Sequence, residues 1–291
     1  MRVRRLAAAV AVLALSVAAC SGGDGVADRS DAADRPGTTT TTTAPDTAPP
    51  TTALDPFARP AWLGTRVLPL RDDGTAAPQP TPPELDPRQL ATVDVLAPPA
   101  DGAFHSTIAP VPPDVAARST WQAACPVTLT QLSYVTLSFW GFDGRAHTGE
   151  LMVDATEAER FVGAFHALFD ARYPIEEMRI TTQADLDAPP TGDGNNTSAF
   201  ACRPIAGPGR TSWSSHAYGR AVDINPFMNP YIRGDLVLPE LSSSYLDRTN
   251  VRPGMLANGD GVVTAFGTIG WAWGGLWTHP TDYMHFSADD R

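Results

Sequence analysis

The stretch from Ser214 to Pro226 (SSHAYGRAVDINP) constrains this chain more than any other. Ala221-Val222-Asp223-Ile224 reads as a buried strand edge, and Asp223 is the charged residue in it. Side chains alternate across a strand, so Ala221 and Asp223 point to the same face. An ionised carboxylate in so apolar a segment is costly unless it is paired or bound to a metal. Arg220 is one available partner. His216, seven residues upstream, offers an imidazole, and the small residues Gly219 and Ala221 let the backbone between pass close to something.

A second histidine stands near the end of the chain, in Asp282-Tyr283-Met284-His285-Phe286. Two neutral imidazoles and one carboxylate, His216, His285 and Asp223, form a ligand set for a catalytic zinc ion that leaves a fourth position for water. Asp282, three residues before His285, is then a candidate general base, and His279 in its Pro-flanked loop is a second candidate proton donor. The helical His-Glu-x-x-His pattern is absent. Trp271, Trp273 and Trp277 lie among glycines just upstream, either walling a groove or building core; Trp273 is taken as the substrate-facing ring.

Composition removes several classes. The chain has 291 residues and a net charge of -11, which argues against nucleic acid as a partner, since phosphate binding needs a basic face. No lysine occurs, which rules out the Ser-x-x-Lys nucleophile of serine D,D-peptidases and the P-loop.

Residues 1–20 read as an export signal: Arg2, Arg4 and Arg5, an apolar run from Leu6 to Ala19 too short to span a bilayer, then Cys20 after small residues. This resembles a bacterial lipobox, with Cys20 the lipidated residue, a membrane anchor, and a protein held at the outer face of the cell membrane or in the cell wall. Residues 21–60, rich in Thr and Pro and poor in large apolar side chains, read as a disordered tether. In residues 61–120 prolines repeatedly interrupt apolar positions, which predicts an irregular arm packed on the domain. Residues 121–291 carry the domain with the metal-ligand candidates.

Within that domain Val135, Leu137 and Phe139 alternate with polar residues, Gly141–Gly144 forms a turn, and Thr148–Val153 alternates again, giving a hairpin. Asp154 and Glu157 suggest a reciprocal helix cap. Phe161, Phe165, Leu168 and Phe169 then share one helical face, and Pro174 ends the helix. Met178–Thr182 reads as a further strand. His147 and His166 have no partner at metal-ligand spacing and are read as structural or surface histidines. Asn195-Asn196-Thr197, a glycosylation acceptor on paper, is read as a turn or a substrate-side loop. With Cys20 lipidated, Cys125 and Cys202 remain as a candidate disulfide pair; export favours oxidation, which disfavours either as a catalytic thiolate.

The combined pattern Ser214-x-His216-x-x-Gly219-x-Ala221-x-Asp223, Trp271-x-Trp273-Gly274-Gly275 and Asp282-x-x-His285-Phe286 resembles the zinc D-Ala-D-Ala carboxypeptidase family, with its VanY-type, VanX-type and L-alanyl-D-glutamate endopeptidase branches. The resemblance covers roughly residues 121–286 and includes Asn196–Arg203 and Asp223–Tyr231. It implies a hedgehog/D,D-peptidase-like α+β fold, a small antiparallel sheet with helices on one side. It further implies one zinc held by His216, Asp223 and His285, Asp282 as base, and Arg203 and Ser214 facing a peptidoglycan stem peptide. Aspartate rather than glutamate at the base position leans towards the endopeptidase branch. The competing expectations are a D,D-carboxypeptidase, a zinc-containing cell-wall binding module without turnover, and a purely structural surface lipoprotein.

Overall fold

The computed structural model describes residue 55 and residues 57–205 and 211–289. The export signal, Cys20 and almost all of the expected tether therefore lie outside the described residues. No helix among the described residues is long and apolar enough to cross a membrane.

The chain runs β1 (Ser106–Pro110), α1 (Pro113–Arg118), β2 (Leu132–Trp140), β3 (Ala146–Asp154), α2 (Ala158–Asp170), β4 (Glu177–Met178), α3 (Gln183–Asp187), β5 (Asn196–Thr197), β6 (Ala221–Asp223), β7 (Tyr231–Arg233), β8 (Leu236–Leu238), α4 (Gly261–Thr268), β9 (Ala272–Trp273), β10 (Thr281–Asp282) and β11 (His285–Ser287). This is an α+β architecture. Three small antiparallel sheets, ordered β1-β2-β3, β10-β7-β8 and β6-β11-β9, are joined by one parallel pair, β4-β5.

The hairpin β2-β3 forms as its alternation predicts. Its register runs from Leu132 opposite Asp154 to Trp140 opposite Ala146, and the Gly141–Gly144 turn closes on Gly141 N–H to Arg145 O at 2.8 Å. Val135, Leu137, Leu151 and Val153 face the largest core cluster, where they meet Phe161, Phe165 and Leu168 of α2. Phe165 stands edge-on to Phe266 of α4 at 5.8 Å between ring centroids, so the two longest helices share one side of the core. Each fully buried Phe or Leu here contributes roughly 1.5–3 kcal/mol.

Two local expectations are corrected. Helix α2 starts at Ala158 rather than at an Asp154/Glu157 box, because Asp154 bonds Thr156 N–H and Glu157 is bonded instead by Arg160 and Trp271. The strand expected over Met178–Thr182 stops at Met178: Thr182 caps α3 by accepting from Asp185 N–H. Local capping chemistry won over a short apolar pattern.

Residues 61–120 are tied into the fold. β1 pairs along the outer edge of β2. Leu68, Ala76, Leu85 and Leu90 build a second core with Phe227, Leu241 and Tyr245. Arg88, 2% exposed, donates to Glu176 at 2.6 and 2.8 Å and to Asp193 O at 2.7 Å. A third cluster surrounds the Cys125–Cys202 disulfide, which closes a sequence separation of 77 residues.

Candidate metal centre

Four short segments meet at the candidate site. A single helical turn, Ser215–Tyr218, presents His216, with Ser214 Oγ accepting from His216 N–H at its start. Gly219 ends the turn at φ +68°, and a Cβ there would lie 2.6 Å from Asp154 N. Asp154 N–H instead donates to Gly219 O at 2.8 Å, pinning the turn to the end of β3. Glycine is needed here for its left-handed backbone and for this close approach.

β6 follows at once and carries Asp223. It pairs with β11 in a register that sets His285 directly opposite Asp223. On its other edge the backbone of Ser198 exchanges both hydrogen bonds with Asp223, at 3.0 and 3.1 Å. Val222, between Ala221 and Asp223, points to the opposite face and into the core, as the strand period requires. Beyond β6, buried Asn225 takes a positive φ of 43°, and its amide donates to Pro174 O at 2.8 Å. Asn229 donates to Ile224 O and Gly254 O, so both asparagines hold the strand exit.

The three side chains converge. His216 Nε2 lies 3.1 Å from Asp223 Oδ2 and 3.2 Å from His285 Nδ1, and His285 Nδ1 lies 3.1 Å from Asp223 Oδ1. Ligand atoms about 2.0–2.1 Å from a tetrahedral zinc stand roughly 3.3 Å from one another. The triangle has that size and the donor chemistry of such a site, so these residues fit a divalent metal. His216 Nδ1 sits 2.6 Å from Ala199 O; a carbonyl only accepts, so Nδ1 carries the proton and Nε2 turns its lone pair to the centre. Burial lowers the His216 pKa and keeps the ring neutral, against the pull of Asp223. Burial alone would raise Asp223, but the two adjacent imidazoles outweigh it and hold its carboxyl well below the usual range. Arg220 is not its partner: that guanidinium turns to Asp289 and Asp154.

Asp282 lines the same cavity of about 880 Å³ as the triangle. β10 pairs it with Tyr231 of β7, and its backbone packs so tightly on Gly274 that a Cβ there would lie 2.7 Å from Asp282 O. Its Oδ1 is buried without a hydrogen-bond partner. Burial pushes its pKa up to about 7, with the Asp223 charge adding to the effect. Arg203 lines the cavity too; its guanidinium donates to Pro204 O at 3.3 Å and has no carboxylate partner among the described residues. Ser214 lines it as well.

Trp273, expected to face substrate, does not line this cavity. It is 5% exposed, belongs to the main core, and its Nε1 donates to Tyr283 O at 2.8 Å. The groove is walled instead by Trp277, whose ring centre is 5.4 Å from that of His285, together with Trp213 and Tyr231. The tryptophans left open whether they wall a groove or build core; Trp271 and Trp273 build core, and Trp277 walls the groove. The Ala199 carbonyl was not foreseeable, since a backbone acceptor leaves no trace in residue type. His279 lines the cavity from its exposed loop. His147 is buried between Asp94 and Asp143, and His166 stacks on Phe104; neither joins the metal group. Asn196 bonds the backbone of Arg179 on both sides, a structural role.

Residues 208–288 match a family model described as D-alanyl-D-alanine carboxypeptidase. This segment is similar to that family. It spans Ser214, His216, Asp223, Asp282 and His285, begins after Arg203, and supports a peptidase. The family match does not separate the carboxypeptidase and endopeptidase branches. No curated protein and no solved structure matches the chain.

Proposed function

We propose that this protein is a zinc-dependent peptidase that hydrolyses stem peptides of bacterial peptidoglycan. The observation that carries the reading is the triangle of His216, Asp223 and His285 beside a buried, unpartnered Asp282 oxygen. His216 Nε2, His285 Nδ1 and the Asp223 carboxylate would hold the ion. When bound, zinc supplies Lewis acidity at the scissile carbonyl and makes water acidic near neutral pH.

The chain's own residues do the rest. Asp282 Oδ1 has no competing donor, so it is free to take a proton from the attacking water and pass it to the leaving amine. A divalent cation beside Asp282 would favour its ionised, proton-accepting form. Arg203 donates to the developing oxyanion or clamps a substrate carboxylate. Trp277, Trp213 and Tyr231 wall the groove and narrow the access of bulk water to it. A non-catalytic binding module has no use for a buried base of this kind.

Two readings of the cleaved bond remain distinct in chemistry. The family match and the unpaired Arg203 support release of a terminal D-alanine. Aspartate at the base position, and a groove that continues past the metal group, support an endopeptidase. Export to the outer face of the membrane and anchoring through Cys20 rest on the sequence of residues 1–20, and the Cys125–Cys202 disulfide supports an oxidising compartment.

The test combines metal analysis of the purified chain with digestion of muropeptides followed by mass spectrometry. One zinc per chain and new peptide ends are expected. Loss of only the terminal residue assigns a carboxypeptidase, and internal cleavage an endopeptidase. Intact muropeptides after incubation with zinc-loaded protein would overturn the reading.

A further inference from the structure

Residues 198–203 run beneath the metal group and serve it from several positions. The backbone of Ser198 pairs with Asp223, Ala199 O holds the His216 Nδ1 proton, and Ala201 N–H donates to His216 O at 3.2 Å. Arg203 lines the cavity, and its carbonyl accepts from Ser214 N–H at 3.2 Å. The residues between belong to the third core cluster, where Phe200 and Cys202 pack with Met152, Val127 and Trp121.

On that far side the segment has few ties. Phe200 N–H donates to Met152 O at 3.1 Å, and Cys202 N–H to Thr120 Oγ1 at 2.9 Å. The third tie is covalent, the bond from Cys202 to Cys125. Cys125 sits in residues 121–128, which form neither helix nor strand. The bonds of that loop are its own: Cys125 N–H donates to Gln122 O, and Trp121 Nε1 to Val127 O. A segment held by so few hydrogen bonds opens locally at low cost, so a covalent tie on one face is felt at the other. The group that bonds the outer nitrogen of a ligating imidazole fixes its tautomer and aim, so movement of Ala199 reaches the metal.

The two sulfurs differ in access. Cys202 is 6% exposed, whereas Cys125 is half-buried beside the exposed residues 122–124. An external thiolate therefore attacks Cys125, the bond between the cysteines breaks, and Cys202 leaves as a thiolate that takes up a proton. If the attacker is a dithiol, its second thiol displaces Cys125. The dithiol ends as a disulfide and the chain as two thiols.

We propose that the Cys125–Cys202 bond is a redox control on the metal centre: it positions Ala199 O and Arg203, so that the oxidised chain binds zinc tightly and the dithiol-reduced chain binds it weakly. The proposal rests on the zinc-peptidase reading above and adds when the site is complete. A chain whose cysteines are still reduced, before export, carries a weakened centre.

The test measures zinc affinity of the full chain by competition with a chromophoric chelator, beside muropeptide turnover. Three forms are compared: the oxidised chain, the chain reduced with a small dithiol, alkylated and freed of reagent, and the Cys125→Ser/Cys202→Ser chain. The oxidised chain is alkylated too, so that thiols outside the disulfide are blocked alike. The reduced and the doubly substituted chains are expected to bind zinc about tenfold more weakly than the oxidised one, the size of effect seen when a partner of a metal ligand is lost. Reoxidation of reduced chain that was not alkylated should restore the affinity. Phe165→Ala, which loosens a different core cluster, controls for general destabilisation and should change zinc affinity far less. Equal affinity in the oxidised and doubly substituted chains would overturn the proposal, as would an equal loss in Phe165→Ala. A doubly substituted chain that does not fold would also overturn it, since the bond is then a staple rather than a control. If no form cleaves muropeptides but the affinities still differ, the redox control stands and the peptidase reading falls.

Discussion

Asp282 holds a carboxylate oxygen in a buried position without a hydrogen bond, beside three residues sized for a metal. Replacing it with Ala should cost on the order of 10²–10⁴ in kcat while the chain still binds one zinc, read by turnover and metal analysis. Turnover retained in that variant would remove Asp282 from the mechanism. His285→Ala has the opposite profile, losing zinc and activity together. Gly219 makes the third case. Alanine there must adopt φ +68° and push into Asp154 N, so Gly219→Ala should destabilise by roughly 1–3 kcal/mol and also displace His216. Chemical denaturation gives the first effect, and weakened zinc affinity the second. At this scale the sequence was readable wherever chemistry resides in the side chain. Asp223 stood out because a charge in an apolar strand needs a partner, and His216 and His285 because imidazole is a ligand. Trp273 misled because its ring is apolar on either face of β9, and only the packing of Trp271 and Phe286 decides which face is core.

The elements that bring these residues together are short. β6 and β11 have three residues each, and their register alone sets Asp223 opposite His285. β6 was legible as an apolar stretch around Asp223, and β2 and β3, nine residues each, from their alternation, whereas β11 carries too few alternations to be read from periodicity. The same limit explains the overextended strand after Met178 and the misplaced start of α2, where a cap chosen by local hydrogen bonding shifts an element by a few residues. Stability is concentrated in the longer elements. Phe165→Ala on α2 removes a ring buried against Phe161 and Phe266, and should cost about 3–5 kcal/mol. Its reach to the metal site is indirect, through Val222 and Phe286 in the same core, so zinc affinity should fall less than stability does. A urea titration beside a zinc titration separates the two.

Across the whole molecule, the arm supplies core, a buried ion pair and one cavity wall, none of which its proline-broken pattern displayed, because its contacts are long-range and irregular. The metal group couples the same whole to pH. In the metal-free protein Asp282 titrates near 7, above the ordinary aspartate value, because burial and Asp223 disfavour its charge. The sign follows from linkage: a folded pKa above the unfolded one means the folded chain binds the proton more tightly. Asp282 therefore adds stability below about pH 4, its unfolded value, and that contribution is lost as pH rises through about 7. Asp223 runs the other way, its depressed pKa contributing stability that is lost only in strong acid. Asp282→Asn removes the first effect and keeps the second. The Tm of the metal-free variant should thus gain on that of the wild-type chain steadily between pH 4 and 7, then hold level above. Zinc places a positive charge beside Asp282, favours its ionised form and lowers its pKa, so loading with metal should shrink that gain. Parallel pH–Tm curves for the two chains, with and without zinc, read all of these terms. A gap independent of pH in the metal-free pair would mean that Asp282 is not held proton-bound by its surroundings.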